Sequence, residues 1–461
     1  MEFINEAYIC SLMSDSSLED RSFQLDVIRK AKEAKGLSLK ESAALLNVTS
    51  RDILEELFDA AREVKQKIYG NRLVLFAPLY ITNTCVNNCL YCAFRRDNKE
   101  LQRKSLSLDE IEEETKILVG QGHKRLLLVA GEHPKKAALD FLGKAVEIIY
   151  NVKVNNGNVR RVNINSVPMS VDDFKTLKSF GIGTYQCFQE TYHYSTYRTM
   201  HPDGPKSDYA WRLYAMDRAL QAGINDIGIG SLFGLADYKF ETLALLSHAF
   251  NLDLRYGIGP HTISVPRLKP ALNAPAAENP PHAVSDSDFK KIIATLRLAV
   301  PYTGIILSTR ENAQFRRELL PVGISQISAG SRTSPGAYSE ASPENLHSQQ
   351  FQLGDHRMLD EVIMDCCRLG FIPSFCTACY RSERTGDRFM ELAKTGELEV
   401  LCTPNSLSSF REYLNDFAPE ETRLSGEEFL KTQISMGNGE DQIKLNEMLE
   451  KVTGGETDVY F

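Results

Sequence analysis

Six of the ten cysteines in this 461-residue chain form two groups of three. Cys85, Cys89 and Cys92 lie within eight residues of one another and directly follow an apolar run. Three thiolates at this spacing can bind three irons of a [4Fe-4S] cluster and leave the fourth iron open to a substrate or cofactor. A structural zinc site is the alternative, but such a site needs four ligands. No fourth Cys or His lies nearby in sequence, so we favour the iron–sulfur interpretation.

The second group contains Cys376, Cys379 and, after 22 intervening residues, Cys402. Alone, this group is compatible with structural zinc if Cys366, Cys367 or a histidine supplies the fourth ligand. A chain that already binds one iron–sulfur cluster makes a second cluster with one open iron the better interpretation. The sequence therefore predicts two iron–sulfur sites.

The elements that must position these cysteines follow a repeating pattern from about residue 72 onward. Short apolar runs alternate with amphipathic helical stretches, as in βα units with a parallel sheet. The eight predicted strands are Val74–Tyr80, Arg125–Ala130, Val159–Ile164, Thr184–Gln189, Asp226–Gly230, Thr262–Val265, Gly304–Ser308 and Gln326–Ala329. Eight such units predict an α/β fold, a (βα)8 TIM-type barrel with its active site at the C-terminal ends of the strands.

Three regions are predicted along the chain. Residues 1–71 form an N-terminal helical extension, residues 72–340 the barrel, and residues 341–461 a mostly helical C-terminal domain that binds the second cluster. Capping-box patterns at Ser38–Glu41 and Ser107–Glu110 mark the starts of two helices. Residues 334–350 have the composition of a linker, and residues 269–281 that of a long loop after the sixth strand.

Composition excludes several classes of protein. The net charge of −8 argues against a nucleic-acid or acidic-membrane binder, because these need a basic face. No apolar run approaches the roughly 18 residues that a membrane span needs. The first six residues carry acids where a targeting peptide needs basic residues, which predicts a cytoplasmic protein. Ten cysteines are too few for a disulfide scaffold of this length, as expected in a reducing compartment.

The CxxxCxxC spacing, with Tyr91 before the third cysteine, resembles the radical S-adenosylmethionine (SAM) superfamily. The resemblance implies that the open iron chelates SAM and that one electron cleaves SAM to methionine and a 5′-deoxyadenosyl radical. Residues 129–132 resemble the superfamily's glycine-glycine-glutamate element, with Ala130 in place of the first glycine and Glu132 near the SAM amino group. Glu132 read alone is also compatible with an acid at a helix N-terminus. Glu190, after the fourth strand, is a candidate SAM or substrate contact or a rim salt bridge.

Both cysteine groups together resemble one family, the tyrosine lyase HydG that matures [FeFe]-hydrogenase. The resemblance covers nearly the whole chain and is carried by residues 75–80, 124–132, 185–192, 259–267, 327–332 and 374–381. The related tyrosine lyase of thiazole synthesis shares the barrel but lacks the C-terminal cysteine group. That group therefore distinguishes the two families.

The HydG resemblance implies a two-stage reaction. L-Tyrosine loses a hydrogen from its amino group and its Cα–Cβ bond breaks, giving p-cresol and dehydroglycine. Dehydroglycine then yields carbon monoxide and cyanide, captured as an Fe(CO)2(CN) unit bound to a free cysteine. The second cluster carries a fifth, "dangler" iron, and His261 matches the histidine that holds it. The implied partners are the other hydrogenase maturation proteins and an electron donor.

Two arginines follow the last two predicted strands, Arg310 and Arg332, and either is a candidate for a bidentate pair with the tyrosine carboxylate. A rim ion pair is the alternative for each.

Two residues depart from the superfamily pattern without removing a ligand. Ala93 follows the third cysteine in place of a common glycine, and Cys187 lies where the fourth strand usually has an apolar residue.

Two other functions stay open from the sequence. The first is a tyrosine lyase that releases dehydroglycine, with the C-terminal cluster serving electron transfer. The second is a non-catalytic iron–sulfur carrier, which would leave the barrel, Glu132 and Glu190 without a purpose.

Overall fold

The computed structural model describes residues 3–340, 347–382, 384–395, 398–435 and 440–460. The strands, β1 to β11 in chain order, are Arg72–Thr82, Arg125–Ala130, Lys153–Val154, Gly157–Asn158, Arg161–Asn165, Tyr185–Gln186, Ile227–Gly230, Thr262–Ser264, Gly304–Leu307, Gln326–Ser328 and Ile372–Ser374. β3 and β4 form a separate antiparallel ribbon. The other nine strands belong to one parallel sheet.

Helices surround this sheet. They are, α1 to α20 in chain order, Glu6–Met13, Arg21–Ala31, Leu39–Leu46, Arg51–Tyr69, Leu108–Gly120, Leu139–Asn151, Val171–Ser179, Tyr194–Met200, Tyr209–Leu213, Ala215–Gln221, Tyr238–Tyr256, Pro275–Glu278, Asp286–Ala299, Ala313–Leu319, Leu359–Arg368, Ala378–Arg381, Asp387–Thr395, Leu398–Asp416, Glu420–Ser435 and Glu440–Thr453. Among these described helices, none is both long enough and apolar enough to cross a membrane. Both predicted capping boxes are present, at Ser38 and Ser107.

Eight of the parallel strands close into a barrel, which confirms the predicted fold class. Their order is β1, β2, β5, β6, β7, β8, β9 and β10, and β10 closes the barrel by pairing with β1. Each predicted strand overlaps one of these eight. The fourth strand is the shortest relative to its prediction, Thr184–Gln189, since only Tyr185 and Gln186 have regular strand pairing.

The long strand β1 shows how the barrel core divides. Leu73, Leu75, Ala77 and Leu79 are fully buried and pack outward into the hydrophobic core shared with the helices. The alternating residues point into the barrel, as the period of two in a strand requires. Of these inward residues, the early ones line a cavity at the N-terminal end of the barrel and the later ones line a cavity at the C-terminal end.

A ninth strand, β11, lies outside the prediction. Ile372–Ser374 pairs with Arg72–Val74, the first residues of β1. Parallel pairing with the start of β1 holds the chain that follows β11 at the N-terminal end of the barrel. The C-terminal cysteine group is therefore anchored at the end opposite to Cys85, Cys89 and Cys92.

The segment predicted to be a linker packs against the barrel where the structure describes it. Tyr338 is tied to the strand β1, because its hydroxyl donates to the Pro78 carbonyl at 2.7 Å. Gln349 is buried, and the backbone N–H of Gln350 donates to the Thr333 carbonyl at 3.0 Å. The predicted domain boundary at residue 341 lies outside the described residues.

Candidate functional sites at the two ends of the barrel

A cavity of about 220 Å³ opens among the C-terminal ends of the strands, and we call it the upper cavity. Seven residues that the sequence singled out line it together. They are Cys85, Cys89, Tyr91, Cys92, Glu132, Glu190 and Arg310. The first cysteine group thus faces one shared space, as three ligands of a single cluster must.

Backbone hydrogen bonds hold the cysteine loop on the barrel. The Val86 amide donates to the Glu132 carbonyl at 2.8 Å, and the Leu90 amide donates to the Met200 carbonyl at 3.0 Å. Burial raises the pKa of the Cys89 thiol to about 12. This thiol is therefore protonated without metal, and iron binding must displace its proton.

Gly131 lets the second strand approach this loop closely. Its amide donates to the Thr82 carbonyl at 2.9 Å. A Cβ atom at Gly131 would lie 2.6 Å from the Thr84 carbonyl oxygen. Ala130, the departure noted in the sequence, lines the upper cavity. Next to it, the Glu132 carboxylate accepts a hydrogen bond from the Asn87 amide at 2.6 Å.

Glu190 contributes a carboxylate that two buried cations flank. Lys206 Nζ lies 2.7 Å and Arg212 Nη2 lies 3.8 Å from Glu190 Oε1. Burial raises the pKa of Glu190, but the charges of Lys206 and Arg212 outweigh this effect and the net pKa is lowered. The Glu190 backbone has a φ of +70°, an uncommon value for a non-glycine residue. Glu190 therefore forms an ion pair inside the cavity instead of on its rim.

The structure separates the two arginines that the sequence left equivalent. Arg310 lines the upper cavity with its guanidinium 3.3 Å above the Phe351 ring. Arg332 does not, because Ser331 and Thr333 face the cavity and the residue between them points away. Its guanidinium donates instead to the Ser331 carbonyl at 3.0 Å. Of the two arginines, Arg310 is therefore the one that the structure places in the upper cavity.

Sequence analysis missed Gln350, Lys206 and Arg212, which also line this cavity. Gln350 accepts a hydrogen bond from the Tyr80 hydroxyl at 2.8 Å and directs its amide toward Cys92 Sγ at 3.6 Å. Its position in a linker-like segment concealed it. Lys206 and Arg212 lie beyond the fourth barrel strand, and no motif spacing marks them.

Tyr91, the aromatic residue of the cysteine motif, is fixed by a buried histidine. Its hydroxyl lies 2.7 Å from His201 Nε2, and His201 Nδ1 lies 2.8 Å from the Tyr197 carbonyl. Because a carbonyl only accepts, Nδ1 carries the proton and Tyr91 donates to Nε2. Burial holds the pKa of His201 well below its usual range, so this histidine is neutral.

A second cavity, of about 50 Å³, lies at the N-terminal end of the barrel, and we call it the lower cavity. Cys376, Cys379, Cys402 and His261 line it together. Cys366 and Cys367 are not among its described lining residues, since they lie in α15 and belong to the hydrophobic core. In the described part of the chain, no three His, Cys, Asp or Glu side chains could hold one metal ion. The ligands of a cubane bind different irons and need not converge on one point.

Positive charge surrounds the second cysteine group. Arg72 and Arg125 line the lower cavity, and the Arg125 guanidinium donates to the Cys376 carbonyl at 2.9 Å. Burial raises the pKa of Cys376 to about 11, and the two arginines oppose that rise. A hydrogen bond between Cys379 and Cys402 raises the pKa of Cys379 and lowers that of Cys402. Arg72 and Arg125 therefore offset part of the cost of burying negative charge here, whether on thiolates or on an anionic cluster.

His261 precedes β8 and is held flat in the lower cavity. Its ring stacks on the Phe389 ring with centroids 4.0 Å apart and planes 14° apart. Burial lowers the pKa of His261, so the imidazole is neutral near pH 7. A neutral imidazole is a good ligand for iron. The structure thus brings His261 to the second cysteine group, although 115 residues separate it from Cys376 in the chain.

Comparison with known protein families agrees with this architecture. The model of the radical SAM superfamily matches residues 79–246, and that of the biotin and thiamin synthesis associated domain matches residues 264–372. The second match runs across the predicted domain boundary at residue 341. The barrel and the upper cysteine site define this protein as a member of the radical SAM class.

Similar proteins specify the family. The 2-iminoacetate synthases of Salmonella typhimurium and Escherichia coli are 31% and 30% identical, each over 75% of this chain and 89% of the relative. A crystal structure of HydG, a maturase of the [FeFe]-hydrogenase, is 47% identical over all of both chains with a TM-score of 0.96. HydG from Carboxydothermus hydrogenoformans is 42% identical over 98% of this chain and 99% of that one, with a TM-score of 0.86. The chain belongs to the HydG family.

Proposed function

We propose that this protein is a radical SAM lyase that cleaves L-tyrosine to p-cresol and dehydroglycine and then forms carbon monoxide and cyanide on iron. Its product is the Fe(CO)2(CN)–cysteine precursor of the [FeFe]-hydrogenase H-cluster. The observation that carries the proposal is the placement of two cysteine groups at opposite ends of one closed barrel, with His261 beside the second. The relatives named 2-iminoacetate synthase support the first stage, because 2-iminoacetate is dehydroglycine.

In the upper cavity, Cys85, Cys89 and Cys92 would hold a [4Fe-4S] cluster. That cluster would supply the electron that cleaves SAM to methionine and a 5′-deoxyadenosyl radical. Glu132 would accept a hydrogen bond from the SAM amino group, and the hydrogen bond from Tyr91 to His201 would hold the cysteine loop in place. The protein's task is to place tyrosine against the radical and to exclude water.

Arg310 is the candidate partner of the tyrosine carboxylate. Lys206 and Arg212 are already engaged with Glu190. Arg310 has no carboxylate within ion-pair distance among the residues that the structure describes. Its guanidinium is fixed on the Phe351 ring, so little side-chain entropy is lost when a carboxylate binds.

Polar side chains lie inside the barrel between the two cavities. Gln186 lines the upper cavity, and Thr262 directly follows His261 of the lower one. Both lie within 3.0 Å of a Cβ position at Gly228, with Thr262 Oγ1 at 2.5 Å and Gln186 Cγ at 2.9 Å. Gln186 Oε1 and Thr262 Oγ1 are buried without a hydrogen-bond partner among the described residues. Dehydroglycine would have to pass these two side chains to reach the lower cavity.

In the lower cavity, Cys376, Cys379 and Cys402 would hold the second [4Fe-4S] cluster. The fifth iron is the cargo of the reaction, and His261 and a free L-cysteine would bind it. Arg72 and Arg125 supply positive charge next to the anionic thiolates. An external electron donor would supply electrons. The other hydrogenase maturation proteins would receive the product.

Two variants separate the stages. We expect Cys85→Ala to abolish every product, because no radical forms without the upper cluster. We expect Cys379→Ala to retain SAM cleavage and p-cresol and to lose the iron–carbonyl product, measured by infrared spectroscopy. Cys366→Ala removes a buried cysteine of the core and is the matched control. Unchanged iron–carbonyl yield from Cys379→Ala would contradict the two-cluster proposal.

The alternatives predict different products. A lyase that releases dehydroglycine would give p-cresol with glyoxylate, from hydrolysis of the free imine, and no carbon monoxide. An iron–sulfur carrier would transfer its clusters to an apo-protein and would not cleave SAM. The C-terminal cysteine group beside His261 favours the two-stage maturase over both.

A further inference from the structure

Asp226 and His261 face each other across the N-terminal edge of the barrel. Asp226 directly precedes β7 and His261 directly precedes β8, and these strands are neighbours in the sheet. Asp226 Oδ1 lies 3.5 Å from His261 Nδ1. Both atoms are fully buried without a hydrogen-bond partner among the described residues. Two orphaned polar atoms in contact are costly to bury unless they bond to each other.

Only one arrangement of the imidazole proton satisfies this pair. A carboxylate can only accept, so His261 Nδ1 must carry the proton and donate it to Asp226. The neutral ring then has its lone pair on Nε2. Unlike Nδ1, the Nε2 atom is not fully buried, and it makes no hydrogen bond with the described residues. Because His261 lines the lower cavity, Nε2 is the ring nitrogen that is open to it.

The second oxygen of Asp226 is held by a separate contact. Arg161 Nη2 lies 3.4 Å from Asp226 Oδ2, and the Arg161 guanidinium stacks 3.4 Å above the Tyr380 ring. Tyr380 lines the lower cavity beside Cys379. Arg161 therefore fixes the carboxylate on one side while His261 meets it on the other. Phe389 fixes the plane of the imidazole.

We propose that Asp226 is a positioning residue that holds His261 in the Nδ1–H tautomer and aims Nε2 at the iron cargo of the lower cavity. The inference rests on the proposed function, in which His261 binds that iron. A carboxylate behind a metal-binding histidine fixes the ring and increases its basicity as a ligand, and loss of such a partner typically weakens metal binding about 10- to 100-fold.

The test uses Asp226→Asn in the full-length reconstituted protein. We expect about 10- to 100-fold weaker retention of the fifth iron of the lower cavity, called the extra iron below. Titration with a chelator measures this retention, and iron analysis counts the irons. SAM cleavage and p-cresol formation should be unchanged, because Asp226 does not line the upper cavity. Asp217→Asn is the matched control. It removes a similarly buried carboxylate, paired with Arg255 and absent from the lining of both cavities.

A second measurement on the wild-type protein does not depend on the folding of any variant. Histidine labelled with ¹⁵N at a single ring position is incorporated, and the nitrogen hyperfine coupling to the extra iron is recorded. The inference predicts strong coupling from Nε2. Strong coupling from Nδ1 instead, or wild-type iron retention in Asp226→Asn, would overturn it while leaving the proposed function intact. Extra iron without any histidine coupling would overturn the assignment of His261 in the proposed function, and the inference with it.

Discussion

Replacing Gly131 by alanine tests whether the second strand fixes the position of the cluster loop. The new Cβ would lie 2.6 Å from the Thr84 carbonyl oxygen, whereas real Cβ atoms essentially never approach within 3.0 Å, so the loop must retreat by at least about 0.4 Å. The hydrogen bonds from Gly131 to Thr82 and from Val86 to Glu132 flank this contact and resist the retreat. Overpacking of this kind costs about 1–3 kcal/mol.

This energy would destabilise the loop conformation that binds the cluster and SAM. SAM affinity should then fall about 5- to 150-fold, since each 1.4 kcal/mol is a factor of ten. Calorimetric titration of SAM into cluster-loaded Gly131→Ala measures the loss. Gly120→Ala is the control, because its Cβ would meet only Val154 Cγ1 at 3.9 Å. Wild-type SAM affinity and full cluster content in Gly131→Ala would refute the reasoning.

Two further predictions concern buried histidines. His261→Ala should lose the extra iron of the lower cavity and retain p-cresol formation, and full retention of that iron would remove His261 from the site. His123 has a pKa lowered by burial to about 3, whereas the unfolded residue titrates near 6.5. Its neutral form stabilises the fold above pH 6.5, and this stability is lost as the pH falls toward 3. Between pH 7 and pH 5 the loss is about 2 kcal/mol, since each pH unit below 6.5 costs about 1.4 kcal/mol. The free energy of unfolding, measured with denaturant at pH 7 and at pH 5, should fall by about 2 kcal/mol less in His123→Leu than in the wild-type protein. The same pH dependence in both proteins would contradict the assignment.

The barrel was predictable because its strands are buried on both faces and read as short apolar runs between helices. The same logic failed for β11, which has only three residues and contains Pro373. A proline removes a ladder hydrogen bond and argues against a strand except at an edge. This small strand nevertheless decides which end of the barrel receives the second cysteine group.

The cysteine groups were visible in the sequence because their spacing is local, whereas their surroundings were not. Gln350 and Tyr80 are 270 residues apart, and their contact depends on how the chain returns over the barrel. Asp226 carried a usable signal, because it and His261 each directly precede a neighbouring strand. Parallel strands begin at the same edge, so this position alone indicates proximity. Nothing in the sequence separated Arg310 from Arg332.

The most direct test of the central claim is anaerobic turnover of the iron-reconstituted protein with SAM, L-tyrosine, L-cysteine and a reductant. p-Cresol, carbon monoxide and cyanide are assayed in the same sample. The two-stage proposal predicts all three. p-Cresol with glyoxylate and neither diatomic product would contradict the second stage, and the absence of p-cresol from fully loaded protein would contradict tyrosine as the substrate.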